Sequence, residues 1–65
     1  MKKVIGYQIV NKKCEVPDGL WDFQIFKTLL EAFRYYTANR SKLKGKGFFI
    51  SIIREGDIEK PIYIH

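Results

Sequence analysis

The stretch Phe48-Phe49-Ile50-Ser51-Ile52-Ile53 decides the fold class of this 65-residue chain. Its aromatic and β-branched residues predict a strand, and successive side chains of a strand point to opposite faces of a sheet. Because almost every residue is apolar, both faces of the sheet carry apolar side chains at this strand. A single helix covers only one of those faces. The other face is therefore predicted to contact something outside the monomer.

Turns and apolar alternation place three more strands around this stretch. Pro17-Asp18-Gly19 has the composition of a tight turn between the first two strands, which are expected to be antiparallel. Glu55-Gly56-Asp57 is expected to connect the last two strands as a hairpin. The predicted strands cover residues 3–10, 20–26, 48–53 and 58–64.

One helix is predicted between the second and third strands. Thr28-Leu29-Leu30-Glu31 matches a capping box, so the helix is expected to begin at about Leu29. Gly45 suits the position just past its end. The apolar stripe at helical spacing consists of Leu29, Ala32, Phe33, Tyr36 and Leu43, with Tyr35 pointing away from it.

These elements predict a single α+β domain over residues 1–65. The sheet is expected to have three to four mostly antiparallel strands, with the helix packed on one face and the order ββαββ. The apolar content of 46% is that of a folded globule. The predicted core consists of Ile5, Tyr7, Trp21, Phe23, Leu29, Phe33, Tyr36, Ile50, Ile52 and Ile62.

Catalytic and metal-binding chemistry has little support in the residues present. The only histidine is His65, the only cysteine is Cys14, and the acidic residues other than Glu31 fall in or next to expected turns. A single cysteine excludes an internal disulfide and gives no zinc-binding spacing, and it suits a reducing cytoplasm. The start Met1-Lys2-Lys3 is not followed by the apolar run of a signal peptide. We expect a non-catalytic cytoplasmic protein with no cofactor and no membrane partner.

The predicted function is binding through the sheet face that the helix leaves open. Phe49 and Ile53 would point outward from the third strand, and Tyr63 would join them from the fourth. Exposed apolar patches on small proteins commonly mark interfaces. Phe49, Ile53 and Tyr63 are therefore predicted to contact a protein partner or a second copy of the chain.

The alternative prediction is nucleic-acid binding. Twelve lysines and arginines against seven acidic residues give a net charge of +5, which favours anionic partners, although solubility alone also accounts for such a charge. The sequence Lys46-Gly47-Phe48 matches the start of a motif of RNA-recognition domains, but Phe49 departs from it. The candidate phosphate contacts are Arg40, Lys42, Lys44 and Lys46, and the same residues also suit the negative end of the helix dipole.

Two segments carry a resemblance to a known group of proteins. Residues 26–32 have the form F-x-T-L-x-E-A, and residues 56–61 read G-D-I-E-K-P. Together they resemble small uncharacterised proteins encoded by bacteriophages and prophages. The resemblance implies a short cytoplasmic accessory protein that acts by binding, for example to a host component.

Overall fold

The computed structural model describes residues 2–64 and has the predicted α+β class. Met1 and His65, which entered the predictions about secretion and catalysis, lie outside the described residues. The four strands are β1 (Val4–Val10), β2 (Gln24–Ile25), β3 (Phe49–Arg54) and β4 (Ile62–Tyr63). The helical region between β2 and β3 consists of α1 (Leu29–Ala38), α2 (Arg40–Leu43) and a 3₁₀ turn at Lys44–Lys46.

The strands form two small sheets that a bridge joins side by side. β1 pairs with β3 in antiparallel fashion, and β2 pairs with β4 in parallel fashion. Phe26, just after β2, exchanges backbone hydrogen bonds of 2.9 and 2.7 Å with Tyr7 of β1. The strand order across the molecule is therefore β3-β1-β2-β4.

The predicted hairpin between β3 and β4 is wrong, although its turn forms. The Asp57 amide donates to the Arg54 carbonyl at 3.0 Å, and Gly56 has a φ of 94°, which glycine adopts without strain. The chain then leaves β3 and crosses to β2, where the Ile62 amide donates to the Phe23 carbonyl at 2.8 Å. This crossing leaves β3 at one edge of the joined sheets and β4 at the other.

The start of α1 agrees with the prediction, but its predicted length does not. Thr28 is the N-cap, and its hydroxyl accepts a 3.2 Å hydrogen bond from the Glu31 amide. The helix breaks at Asn39, whose side-chain amide donates to the Tyr35 carbonyl while its own carbonyl accepts from the amides of Lys42 and Leu43. Asn39 thus ends α1 and starts α2. The left-handed glycine that ends the region is Gly47, at φ 77°, and not Gly45.

The core is smaller than predicted and lies under a different side of the helix. The buried core cluster is Ile9, Phe26, Ala32 and Leu43. Tyr35, predicted to point outward, packs on this cluster with its ring 5.4 Å from the ring of Phe26. Six residues of the predicted core are exposed instead: Trp21, Phe23, Leu29, Phe33, Ile52 and Ile62.

Substitution of the helix cap tests the start of α1. Thr28→Ala removes the acceptor for the Glu31 amide, so the free energy of unfolding is expected to fall by about 1 kcal/mol. Thr37→Ala is the matched control, because Thr37 is exposed inside α1 and alanine favours a helix interior. Urea unfolding followed by circular dichroism measures both variants. Equal stability of the two would contradict the assignment of Thr28 as the cap.

Candidate functional site

The sheet face opposite the helix is covered by the chain itself. Tyr63 reaches across β2, and its hydroxyl donates to the Ile5 carbonyl at 3.2 Å. The Ile25 side chain lies against Gly6, which pairs with Ile53. Both isoleucines are buried, and Ile53 is only 7% exposed. The prediction that this face stays open is corrected by these contacts.

The three residues predicted to form the partner surface are therefore separated. Ile53 is buried, and half-buried Tyr63 contacts β1 of its own chain. Phe49 is exposed at the start of β3, whereas Tyr63 lies on β4 at the opposite edge of the joined sheets. Of the predicted set, only Phe49 is an exposed apolar side chain, at 45%.

An exposed aromatic turn at Trp21–Gln24 was missed by the sequence analysis. Trp21 is 66% exposed, and its backbone amide donates to the Gln24 side-chain oxygen at 2.8 Å. The Gln24 amide donates back to the Trp21 carbonyl at 3.0 Å. The Gln8 side chain also donates to the Asp22 carbonyl, which ties the turn to β1. The turn therefore holds two aromatic side chains, those of Trp21 and Phe23, in solvent.

β3 has a free hydrogen-bonding edge. In an antiparallel pair, opposing residues alternate between exchanging both backbone hydrogen bonds and exchanging none. Tyr7 pairs with Ile52, but the amide and carbonyl of Tyr7 are bonded to Phe26 on the other side of β1. The amide and carbonyl of Ile52 therefore point away from β1. Within residues 2–64 no strand lies along that edge of β3.

Exposed apolar side chains flank this free edge on the helix side. At about 100° per residue, Leu29 and Phe33 lie about 60° and about 100° around α1 from buried Ala32. They lie on the same side as Tyr36, whose hydroxyl donates to the Phe48 carbonyl next to β3. Ile52, opposite Tyr7, is on the helix face of the sheet and is 50% exposed. We call Leu29, Phe33 and Ile52 the edge patch.

Positive charge is concentrated where β1 and the helical region end. Lys12 and Lys13 from the loop after β1 and Lys46 from the 3₁₀ turn line one open depression. The four predicted phosphate contacts, Arg40, Lys42, Lys44 and Lys46, are all exposed in α2 and the turn that follows it. We call Lys12, Lys13, Arg40, Lys42, Lys44 and Lys46 the basic end. Lys2 and Lys3 lie at the opposite end of β1, near Gly56 and Glu55.

The described residues place limits on other kinds of site. In residues 2–64, no three histidine, cysteine or acidic side chains come together as metal ligands would. The longest described helix, α1, has ten residues, whereas a membrane-spanning helix needs about 20, and no membrane-spanning helix is found in this part of the chain.

Comparison of the chain with models of known families, with curated proteins and with solved structures finds no match.

Proposed function

We propose that the protein is a small non-catalytic binding module that associates with a second copy of itself through β3. The observation that carries this proposal is the combination of a free backbone edge with exposed apolar side chains beside it. Exposed edge strands commonly carry charges, prolines or bulges that prevent pairing with another chain. β3 has a single charged residue, Arg54, and no proline or glycine.

The backbone pattern favours one register for the pairing. Ile50 and Ile52 present their amides and carbonyls to the free edge, because alternate residues of a strand point the same way. The Arg54 amide and carbonyl point the same way but are already bonded to the side chain and amide of Asp57. A two-fold axis beside Ser51 would pair Ile50 of each copy with Ile52 of the other, which uses the free amide and carbonyl of both residues. Such a pairing is isologous, as in most homodimers. It joins the sheets of both copies into one continuous sheet.

The side chains beside the edge fit the same arrangement. Ile52 of each copy would lie on the helix face of the joined sheet, between the Leu29 and Phe33 side chains of both α1 helices. Apolar side chains that are exposed in the monomer would then lose contact with water. A 65-residue domain buries a smaller fraction of its surface than a larger domain does, so this burial adds useful stability.

Charge placement is compatible with an antiparallel pairing. Each copy carries +5, mostly at the basic end near the start of β3. Antiparallel strands place the two basic ends at opposite ends of the paired β3 strands, about 20 Å apart for six residues. This separation exceeds the Debye length of about 8 Å at physiological ionic strength, so the repulsion is largely screened.

Ile52→Lys tests the proposal by placing two positive charges, one from each copy, beside the two-fold axis. We expect the dimer dissociation constant to rise about 30-fold or more, since a central apolar residue commonly contributes about 2 kcal/mol. Ile62→Lys is the matched control, because Ile62 is 44% exposed on β4 at the other edge of the joined sheets. Sedimentation velocity across protein concentration measures the dissociation constant of each variant.

A second variant tests the backbone pairing without adding a charge. Ile52→Pro removes the outward-pointing amide without removing a hydrogen bond between β1 and β3, so it should also prevent dimer formation. Wild-type protein that stays monomeric to millimolar concentration would refute the proposal. Equal effects of Ile52→Lys and Ile62→Lys would refute the proposed interface.

A further inference from the structure

The basic end contains two adjoining depressions that share the side chain of Lys46. The first, of about 380 Å³, lies where the 16–18 segment meets the end of the helical region. The second, of about 460 Å³, lies between the loop after β1 and the 3₁₀ turn. Both volumes fall within the usual range of small-molecule sites. Their linings differ in chemistry.

The second depression is lined by cations at fixed backbone positions. Lys12 and Lys13 follow Asn11, whose side-chain oxygen accepts from the Lys13 and Glu15 amides at 3.0 and 2.9 Å. The Asn11 side-chain amide donates to the Glu15 carboxylate at 3.1 Å, so the one acidic residue in the lining is already engaged. Three ammonium groups, those of Lys12, Lys13 and Lys46, therefore surround a space suited to an anion.

The first depression has a mixed lining in which two aromatic rings lie among polar and charged side chains. Half-buried Tyr35 and Phe48 contribute ring surface. The polar and charged side chains of the lining are those of Asp18, Asn39, Lys42 and Lys46. Tyr35 is held in place by its packing against Phe26. A planar base with hydrogen-bonding edges suits such a lining, because aromatic rings stack against its faces and polar side chains reach its edges.

Together the two depressions form a site for one class of ligand. We infer that the basic end binds a nucleotide unit, with the base in the first depression and the phosphate between Lys12, Lys13 and Lys46. The two linings contain four lysines, Lys12, Lys13, Lys42 and Lys46, and two carboxylates, those of Glu15 and Asp18, so their net charge is +2. The lysine side chains repel one another, and a bound anionic ligand reduces that repulsion.

The nucleotide unit has two sources, a free mononucleotide or a single-stranded nucleic acid, and binding measurements distinguish them. Fluorescence polarisation with a labelled twelve-residue oligothymidine reports the strand, and calorimetry with AMP and with inorganic phosphate reports the free ligands. Three phosphate contacts predict that log affinity for the strand falls with log salt with a slope of about −2. AMP binding that matches oligonucleotide binding assigns a mononucleotide site, and oligonucleotide binding alone assigns a strand.

Charge-matched variants test whether binding belongs to this site. Lys46→Gln removes the cation that both depressions share, and we expect a loss of affinity of about tenfold with a salt slope about 0.7 shallower. Lys60→Gln is the control, because it removes the same charge from an exposed residue that lines neither depression, and less than about a twofold loss is expected.

Two results would overturn the inference. Equal losses in Lys46→Gln and Lys60→Gln would show that affinity follows net charge alone. Absence of binding of the oligonucleotide, AMP and phosphate at physiological salt would show that the basic end has no such ligand. Both measurements can be repeated in the Ile52→Lys variant, because that substitution changes the edge patch and leaves the basic end intact. The test of ligand binding is therefore independent of dimer formation.

Discussion

Phe26→Ala is expected to unfold much of the protein, whereas Phe33→Ala is expected to change stability little. Phe26 is 4% exposed, lies in the core cluster and packs against Tyr35, so its truncation should cost about 3 to 5 kcal/mol. A domain of this size has only about 3 to 10 kcal/mol of total stability. Phe33 is 58% exposed on α1, so removal of its ring leaves no buried cavity.

The two phenylalanine variants also control for each other. Both lose the same atoms, so a difference in urea midpoint reports the difference in burial between the two sites. Measurement at low protein concentration is needed, because the proposed dimer would bury Phe33 and make its truncation costly at high concentration. If Phe33→Ala and Phe26→Ala cost the monomer equal stability, Phe33 would be buried. That result would contradict the assignment of Phe33 to an exposed side of α1.

Gly6→Ala is the second substitution with a large expected effect. A Cβ atom at this position would lie 2.7 Å from the Ile25 side chain and 2.7 Å from the Phe26 carbonyl oxygen. That carbonyl accepts the hydrogen bond from Tyr7, so it cannot move away without weakening the bridge between β1 and β2. We expect a loss of about 3 kcal/mol, at the upper end of the usual range for overpacking.

Gly45→Ala is the matched control for Gly6→Ala. No atom lies within 4 Å of the Cβ position at Gly45, and neither glycine has a positive φ. Alanine at Gly45 should therefore stabilise the 3₁₀ turn, by up to about 1 kcal/mol. Thermal unfolding of both variants measures the contrast. Equal stability of the two variants would show that Ile25 does not pack on Gly6.

The elements that the sequence predicted well are those that depend on neighbouring residues. The Thr28 cap needs only a hydroxyl and the amide of Glu31. The turn at Pro17-Asp18-Gly19 closes with a hydrogen bond from the Leu20 amide to the Pro17 carbonyl, and Gly19 has a φ of 95°. The strand β1 follows its own apolar alternation. Such signals lie within a few residues and do not depend on the rest of the fold.

The elements predicted wrongly depend on competing or distant contacts. Trp21 and Phe23 alternate as strand residues do, but the Gln24 side chain bonds the Trp21 amide and closes a turn there. Asn39 ends α1 early, and the helix contacts the core through Tyr35 as well as Tyr36. Asparagine at this position was the available signal, because its side chain often bonds the backbone at helix ends.

The composition of the candidate sites could be only partly predicted. The exposed cations from Arg40 to Lys46 were identified from their sequence, because they lie close together along the chain. Their association with Lys12 and Lys13 depends on how the helical region returns to the end of β1. The free edge of β3 depends on β4 pairing with β2, and periodicity within a strand does not determine which strand is its neighbour.

The hydrogen bond from the Tyr63 hydroxyl to the Ile5 carbonyl has a consequence for folding during synthesis. The two residues are 58 positions apart, and β4 pairs with a strand that precedes the whole helical region. Pairings of such large sequence separation form slowly, because a long loop has to close before they stabilise the chain. Until residue 63 has left the ribosome, β2 has no strand partner on its outer side. We therefore expect the native sheet to assemble only after synthesis of almost all of this sequence.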